Sequence, residues 1–207
     1  MTITAIEQAK KREERVNIFL DGAFWLGLDK NQLIEFSLYK GKRIEPQEKQ
    51  QIEFESTFYK LVERVINLTL IRPRSKYEVF QYLTLKKDVE ETMADKVIEH
   101  LETKGLLSDE EFAKWYINNR QSHGFHGRNK IQMELLKKGV DKSIIQEYLK
   151  ASEVENDNSE KILQLYNKIK DQVKGKTDYE KKNKMYQRIL SRGYTFTEID
   201  KTIRDLV

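Results

Sequence analysis

The sequence predicts a mainly α-helical protein: three tandem three-helix (helix-turn-helix-like) repeats in a curved array, preceded by a small N-terminal module that contains a β-hairpin. Three observations support this prediction. A short pattern, in which one helix ends and another begins, occurs three times along the chain. Apolar residues recur at helical spacing in a chain of 207 residues of which 35% are charged. Near the N-terminus an Asp-Gly pair lies between two hydrophobic runs.

The N-terminal module is predicted over residues 1–54. Asp21 and Gly22 lie between RVNIFL and AFWLGLD, and this arrangement is the strongest short-range signal of a two-residue type I′ hairpin. That loop length predicts two cross-strand pairs, Ile18 with Trp25 and Phe19 with Phe24. The segment ITAIEQAK can add a third strand, and DKNQLIEFSLY predicts a short helix.

The three repeats are predicted over residues 55–105, 106–155 and 156–207. Their anchors are Asp88, Gly139 and Gly193, which are 51 (139 − 88) and 54 (193 − 139) residues apart. Apolar residues lie six and ten positions after each anchor: Ala94 and Ile98, Ile145 and Leu149, Ile199 and Ile203. Members of each pair are four residues apart and therefore share one helix face.

Each repeat has a first helix upstream of this pattern, and its second helix ends at the anchor. The first helices are predicted at 55–71, 108–121 and 159–173, and the second helices at 75–86, 127–138 and 178–192. A glycine just after a helix supplies the left-handed C-cap, and lysines suit the negative end of the helix dipole. Ser75 and Ser108 are predicted N-caps. In the middle repeat Ile131, Leu135 and Leu136 are expected to face inward.

Composition excludes several classes of protein. There is no cysteine, which rules out a disulfide framework, thiol catalysis and cysteine-ligated zinc. The net charge is only +4, so local basic patches or a partner other than bare DNA are expected. No apolar segment resembles a signal sequence or approaches a membrane span. A cytoplasmic protein is therefore expected, and a monomer, because no oligomerisation signal is present.

No group of residues forms a recognisable catalytic motif. The chain lacks GxxxxGK[ST], GxSxG and HExxH, and most carboxylates alternate with lysines at the spacing of solvated helix faces. His123 and His126 lie in a glycine-flanked loop, but a metal site would need further ligands at fixed positions. We therefore expect no enzymatic activity, no metal and no cofactor.

Basic residues recur on the second helices. If the repeats stack regularly, equivalent cations form a ladder that could contact phosphates or an acidic protein surface. The alternative is that these charges only stabilise the helix ends and bind nothing. The segments concerned are RPR at 72–74, Lys86 and Lys87, GRNK at 127–130, Lys137 and Lys138, and the basic positions from 181 to 192.

Several segments together resemble the RecX family, the bacterial regulators of the RecA recombinase. They are NIFLDGAFWLGLDKNQLIEFSLYKGKRI, RPRSKYEVFQYL, HLETKGLLSDEEFAKWYINNR and GRNKIQMELLKKGVDKSII. The last segment is the most specific, because it is similar to the family pattern G-x-x-K/R-I-x-x-E-L-x-x-K-G-I/V. The resemblance runs along essentially the whole chain, although Asp88 stands where a helix-ending glycine is usual.

The resemblance implies a non-enzymatic modulator, an inhibitor, that acts in homologous recombination, DNA repair and the SOS response. Such a protein would bind in the groove of the RecA nucleoprotein filament, bridge protomers, and lower ATP hydrolysis and strand exchange. Some family members also bind single- or double-stranded DNA. Matching the motifs gives as contact candidates Arg72, Arg74, Arg128, Lys130, Lys137 and Lys138; repeat equivalence adds Lys86, Lys87, Arg188 and Arg192.

A second hypothesis is a sequence-specific DNA-binding regulator, because three-helix units with a tight turn also describe helix-turn-helix domains. That hypothesis predicts one recognition helix with base-reading side chains, and usually a two-fold dimer. Here the basic residues are spread over several repeats instead. A purely structural helical scaffold is a third hypothesis.

Overall fold

A computed structural model of the chain describes residues 1–9, 13–85, 89–153 and 158–206. The chain divides into two compact units, Met1–Asn67 and Leu68–Val207. Among the described residues, no helix has both the length and the apolar character needed to cross a lipid bilayer. Helices predominate, and strands occur in the first unit alone of the described chain. The mainly α-helical fold with an N-terminal β module is thus confirmed.

The first unit contains a three-stranded antiparallel sheet with the order β1-β2-β3. Its strands are β1 (Ile3–Gln8), β2 (Arg15–Leu20) and β3 (Ala23–Asp29). Between β2 and β3, Asp21 has φ of 47° and Gly22 has φ of 84°. A type I′ turn requires positive φ at both central residues, so the predicted hairpin and its turn are confirmed.

The register of the hairpin differs from the prediction by one residue beyond the first pair. Phe19 pairs with Phe24 as predicted, but Ile18 pairs with Leu26 and not with Trp25. A bulge accommodates Trp25 as an extra residue in β3. The physical reason is burial, because the shift places Leu26 on the core face. That face consists of Val16, Ile18, Leu20, Leu26 and Leu28, all buried.

Two helices complete the first unit and begin the second. Helix α1 (Lys30–Glu35) starts with a capping box between Asp29 and Gln32. Helix α2 (Pro46–Ile71) ends where predicted but begins nine residues (55 − 46) before the predicted start. Proline at the first helical position explains this start, because its fixed φ suits a helix and it has no N–H to leave unpaired.

The second unit is helical throughout its described residues. Its helices are α3 (Lys76–Thr84), α4 (Glu91–Thr103), α5 (Asp109–Ser122), α6 (Arg128–Lys137), α7 (Lys142–Glu153), α8 (Ser159–Ile169), α9 (Asp178–Leu190) and α10 (Phe196–Ile203). Helices α5, α6 and α7 enclose one apolar core, and α8, α9 and α10 enclose another. We call these groups repeat 2 and repeat 3; α3 and α4 are the second and third helices of repeat 1.

The repeated apolar positions are buried in every repeat. Ala94, Ile145 and Ile199 have no exposed surface, and the residues four positions later are also buried. One prediction in this group is wrong: Leu136 is 44% exposed, and α6 contributes only Ile131 and Leu135 to the core. Two apolar side chains one turn apart suffice, because α6 has only ten residues.

Candidate functional site

Neighbouring repeats contact each other through their second helices. The start of the second helix in one repeat packs against the end of the second helix in the next repeat. We call the contact between the start of α3 and the end of α6 the first junction. There the Ser75 hydroxyl donates a hydrogen bond of 2.7 Å to the carbonyl of Lys138 and caps its own helix by accepting from the Glu78 N–H. Gly139 lies directly against Tyr77, since a Cβ on Gly139 would be 2.5 Å from the Tyr77 Cβ.

The contact between the start of α6 and the end of α9, the second junction, repeats this arrangement. The Gly127 N–H donates to the Arg192 carbonyl at 2.8 Å, and the Asn129 N–H donates to the Gly193 carbonyl at 3.1 Å. A Cβ on Gly193 would lie 2.4 Å from the backbone nitrogen of Lys130. Unpaired N–H groups at one helix start thus meet unpaired carbonyls at another helix end.

Glycine at these helix ends has two physical reasons, of which the sequence revealed one. Gly139 has φ of 74° and Gly193 has φ of 90°, which confirms the predicted left-handed C-caps. The second reason is the close approach of the neighbouring repeat. Asp88, the corresponding anchor of the first repeat, lies outside the described residues.

At the first junction one carboxylate forms ion pairs with two cations. The Glu78 carboxylate accepts hydrogen bonds from Arg72 at 2.8 and 3.1 Å and from Lys138 at 2.5 Å. The Arg72 guanidinium also lies 5.6 Å from the ring centre of Trp115. Burial alone would raise the pKa of Glu78, but the hydrogen bonds from Arg72 and Lys138 outweigh burial and hold the pKa below its ordinary value. Two predicted contact residues are therefore engaged within the protein.

The second junction has the opposite electrostatic character. Lys130 occupies the position in α6 that Glu78 occupies in α3, and Arg192 corresponds to Lys138. Neither cation forms an ion pair with any other residue that the structure describes. Burial lowers the pKa of nearby His126, and the charges of Arg120 and Lys130 lower it further. The charge of Glu134 acts in the opposite direction on His126, and that of Arg192 lowers the pKa further. The second junction thus carries two cations that have no ion pair among the described residues.

The remaining predicted contact residues are dispersed. Arg74 is half-buried, its Nε lacks a hydrogen-bond partner among the described residues, and burial lowers its pKa. Burial would raise the pKa of Glu198, but hydrogen bonds from Thr195 and Asn158 hold it below its ordinary value, and the charge of Arg128 lowers it further. Lys137 and Arg188 are exposed. Lys86 and Lys87 lie outside the described residues. The structure thus places Lys130 and Arg192 at one junction, and it links Arg72 and Lys138 through Glu78 at the other.

Sequence reasoning missed two residues that decide the character of the junctions. Glu78 distinguishes the ion-paired first junction from the second, and alignment of the helix starts would have shown that Glu78 and Lys130 occupy equivalent positions. Gly127 replaces the usual hydroxyl or amide side chain at a helix start, which was a signal of close approach. No group of three metal-ligating side chains occurs within the described ranges.

Comparison with known proteins gives concordant matches. The family model for the regulatory protein RecX N-terminal domain matches residues 1–45, and the model for the RecX second three-helix domain matches residues 108–149. The Regulatory protein RecX of Staphylococcus saprophyticus is 32% identical over 204 residues, which cover 98% of this chain and 73% of that protein. The Clostridium perfringens protein of the same name is 31% identical and is covered over 95% of its length.

Two solved structures are similar to the chain. The crystal structure of a regulatory protein RecX superposes with a TM-score of 0.77 at 22% identity, over 99% of this chain and 98% of the other. The crystal structure of RecX from Lactobacillus salivarius gives a TM-score of 0.61 at 25% identity, over 72% of this chain and 97% of the other. Both similarities support the fold described above.

Proposed function

The chain belongs to the RecX family of regulatory proteins, and from that membership we propose that it is a non-enzymatic modulator of the RecA recombinase. It binds the RecA–DNA filament, bridges neighbouring protomers, and lowers ATP hydrolysis and strand exchange. An inhibitor of this kind needs only to bind one conformational state of the filament better than another. We also propose that it acts as a cytoplasmic monomer, with modules bounded at 1–54, 55–105, 106–155 and 156–207.

The observation that carries this proposal is the second junction. Lys130 lies at that helix start and Arg192 at that helix end, and neither forms an ion pair with another described residue. Like charges at one site lower stability, so their presence favours a role in binding an anionic surface. A filament of protein and DNA offers both carboxylates and phosphates. The small net charge of +4 fits such a mixed partner better than bare DNA.

The helix-turn-helix alternative has less support. In that mode the third helix of a repeat would enter the DNA groove with its N-terminal residues at the bases. The third helices here begin with carboxylates, Glu91 in α4, Asp141 before α7 and Glu198 in α10. Negative charge at these starts would face phosphates and bases. The dispersed cations therefore favour the filament over a duplex operator.

The test is the DNA-dependent ATPase rate of RecA on single-stranded DNA while the chain is titrated in. We expect the rate to fall at or below one molecule per RecA protomer. The variant K130E/R192E should need about tenfold more protein for the same effect, equivalent to ~1.4 kcal/mol of binding. The control K142E/K150E makes the same change in net charge on exposed positions of α7.

An unchanged rate with confirmed filaments would exclude RecA modulation and redirect the search to duplex operators. Reversal at Lys138 is unsuitable for this test, because Lys138 pairs with Glu78 and its loss would disturb the first junction. Reversal at Lys137 is suitable, since this lysine is exposed and forms no ion pair with a described residue.

A further inference from the structure

Helix α6 has apolar side chains on a second side, away from its core contacts. Ile131 and Leu135 are buried, whereas Met133 is 59% exposed and Leu136 is 44% exposed. Residues three apart are neighbours on a helix surface, so Met133 and Leu136 form one small apolar patch. Exposed apolar residues that lie together, unlike single ones, indicate contact with another molecule.

Two lysines flank this patch along the helix. Lys130 precedes Met133 by three positions and Lys137 follows it by four, so all three lie on one side of α6. Seven residues of helix separate the two lysines by about 10 Å along the axis. Neither has an ion pair among the described residues. We call Lys130, Met133, Leu136 and Lys137 the α6 face.

Packing of the repeats does not require this arrangement. Counted back from Gly193, repeat 3 has Lys184 at the position of Lys130 and Leu190 at the position of Leu136. It has Gln187 at the position of Met133 and Ser191 at the position of Lys137. Helix α9 nevertheless packs its core through Met185 and Ile189. Met133 and Lys137 are thus the members of the α6 face that distinguish repeat 2 from repeat 3.

We propose that the α6 face binds a protein segment that carries an apolar side chain between two carboxylates about 10 Å apart, and that this segment belongs to a RecA protomer. The inference rests on the function proposed above and specifies its contact. Charge complementarity supports an acidic occupant, since both flanking groups are cations. DNA phosphates would also attract the lysines, but they would gain nothing from Met133 and Leu136. An apolar centre with a charged rim is typical of protein–protein contacts.

The first experiment uses carbodiimide coupling of the full chain to RecA filaments on single-stranded DNA. The reagent joins a lysine amine to a carboxylate as an amide, so phosphate contacts give no such protein–protein product. We expect mass spectrometry to find RecA peptides attached at Lys130 or Lys137, and not at the exposed control residues Lys142 and Lys150. Coupling restricted to the control residues would overturn the inference.

The second experiment compares M133S/L136S with the wild-type chain and with the control L106S/L163S, which removes two exposed leucines elsewhere. Circular dichroism verifies that each variant is folded. For M133S/L136S we expect half-maximal ATPase inhibition to need at least about tenfold more protein, ~1.4 kcal/mol. Its binding to bare single-stranded DNA should stay within about twofold of wild type, since the apolar patch makes no phosphate contact.

The other outcomes separate the inference from the function on which it rests. If the wild-type chain has no effect on RecA, both fail. If the wild-type chain inhibits and M133S/L136S inhibits equally, the inference about the α6 face fails alone. Parallel loss of bare DNA binding would identify DNA as the occupant, and a wild-type dimer that becomes monomeric in M133S/L136S would identify a second copy of the chain. Either result would overturn the inference.

Discussion

The two junctions of the helical unit share a backbone arrangement and differ in charge. At each one the start of a second helix meets a glycine-ended helix of the next repeat. At the first junction Glu78 joins Arg72 and Lys138, whereas at the second junction Lys130 lies beside the end that carries Arg192. The comparison shows that each junction packs a glycine against a helix start, through the Ser75 hydroxyl at the first junction and backbone N–H groups at the second. Side-chain charge then differs between them, and it stabilises the first junction while, as we propose, it serves binding at the second.

The two junctions are expected to contribute differently to the stability of the fold. A partly buried carboxylate between two cations stabilises its junction, because each charged hydrogen bond contributes ~1.5–3 kcal/mol in favourable cases. Adjacent cations without a carboxylate lower stability instead. A protein retains such an arrangement where function needs it, as stability and activity often oppose each other.

The largest expected effect tests the shared backbone arrangement. Gly193→Ala places a Cβ 2.4 Å from the backbone nitrogen of Lys130 and forces an L-residue to φ of 90°. We expect the free energy of unfolding to fall by about 2–5 kcal/mol, from ~1–2 for the left-handed conformation and ~1–3 for overpacking. Urea denaturation followed by circular dichroism measures the loss.

Two other glycines separate these contributions. Gly105 has φ of 67° and open space around its missing Cβ, so Gly105→Ala should cost only the conformational part, ~1–2 kcal/mol. Gly127 has an ordinary φ of −76°, but a Cβ there would lie 2.4 Å from the Gly193 carbonyl carbon. Gly127→Ala should therefore show only the overpacking part. Equal losses in all three variants would contradict the junction geometry.

An intermediate effect is expected when the first junction loses its carboxylate. Glu78→Gln leaves Arg72 and Lys138 near each other without a counter-charge, and the Glu78 side chain is only 15% exposed. We expect a loss of ~1–3 kcal/mol at pH 7. Because the folded pKa of Glu78 lies below its ordinary value of 4.5, its contribution is complete above that pH and declines as the pH falls through the folded pKa.

Urea denaturation at several pH values between 7 and 3 checks this dependence. The difference in unfolding free energy between wild type and Glu78→Gln should be largest at neutral pH and should shrink in acid. A difference that does not change with pH would show that Glu78 stabilises the junction by packing and not by charge.

The smallest expected effect is a gain in stability at the second junction. Lys130→Glu places a carboxylate where α3 has Glu78, beside the end of α9 and in the first turn of α6. We expect stabilisation of ~0.5–1 kcal/mol from the helix dipole and the new ion pair. The same variant should inhibit the RecA ATPase less well. Lower stability, or undiminished inhibition, would remove the proposed opposition between stability and binding at this junction.

Sequence patterns predicted the features that repeat within each unit of the fold. Ala94, Ile145 and Ile199 were identifiable because burial of one helix face requires apolar residues at helical spacing. The type I′ turn was identifiable because Asp21 and Gly22 both tolerate positive φ. These features depend on interactions between residues close together in the chain, and such interactions produce recognisable sequence patterns.

The features that were missed depend on contacts between elements. The bulge at Trp25 follows from burial of Leu26, which alternation alone does not predict. The exposure of Leu136 follows from the small core contribution of α6. The junctions went unrecognised because the left-handed φ of Gly139 already accounted for that glycine. The basic residues were identified from the sequence, but the ion pairs of Arg72 and Lys138 with Glu78 were not. Glu78 lies 60 positions from Lys138 along the chain.

Helix α6 is held at both ends, by α9 at Gly127 and by α3 at Gly139. Twelve residues (139 − 127) separate these contacts. One residue added to this helix would turn one contact by about 100° relative to the other, since an α-helix has 3.6 residues per turn. The length of α6 therefore fixes the rotation of repeat 1 relative to repeat 3 about the helix axis. Length variation can be accommodated in the loops between helices, where it does not rotate one repeat away from the next.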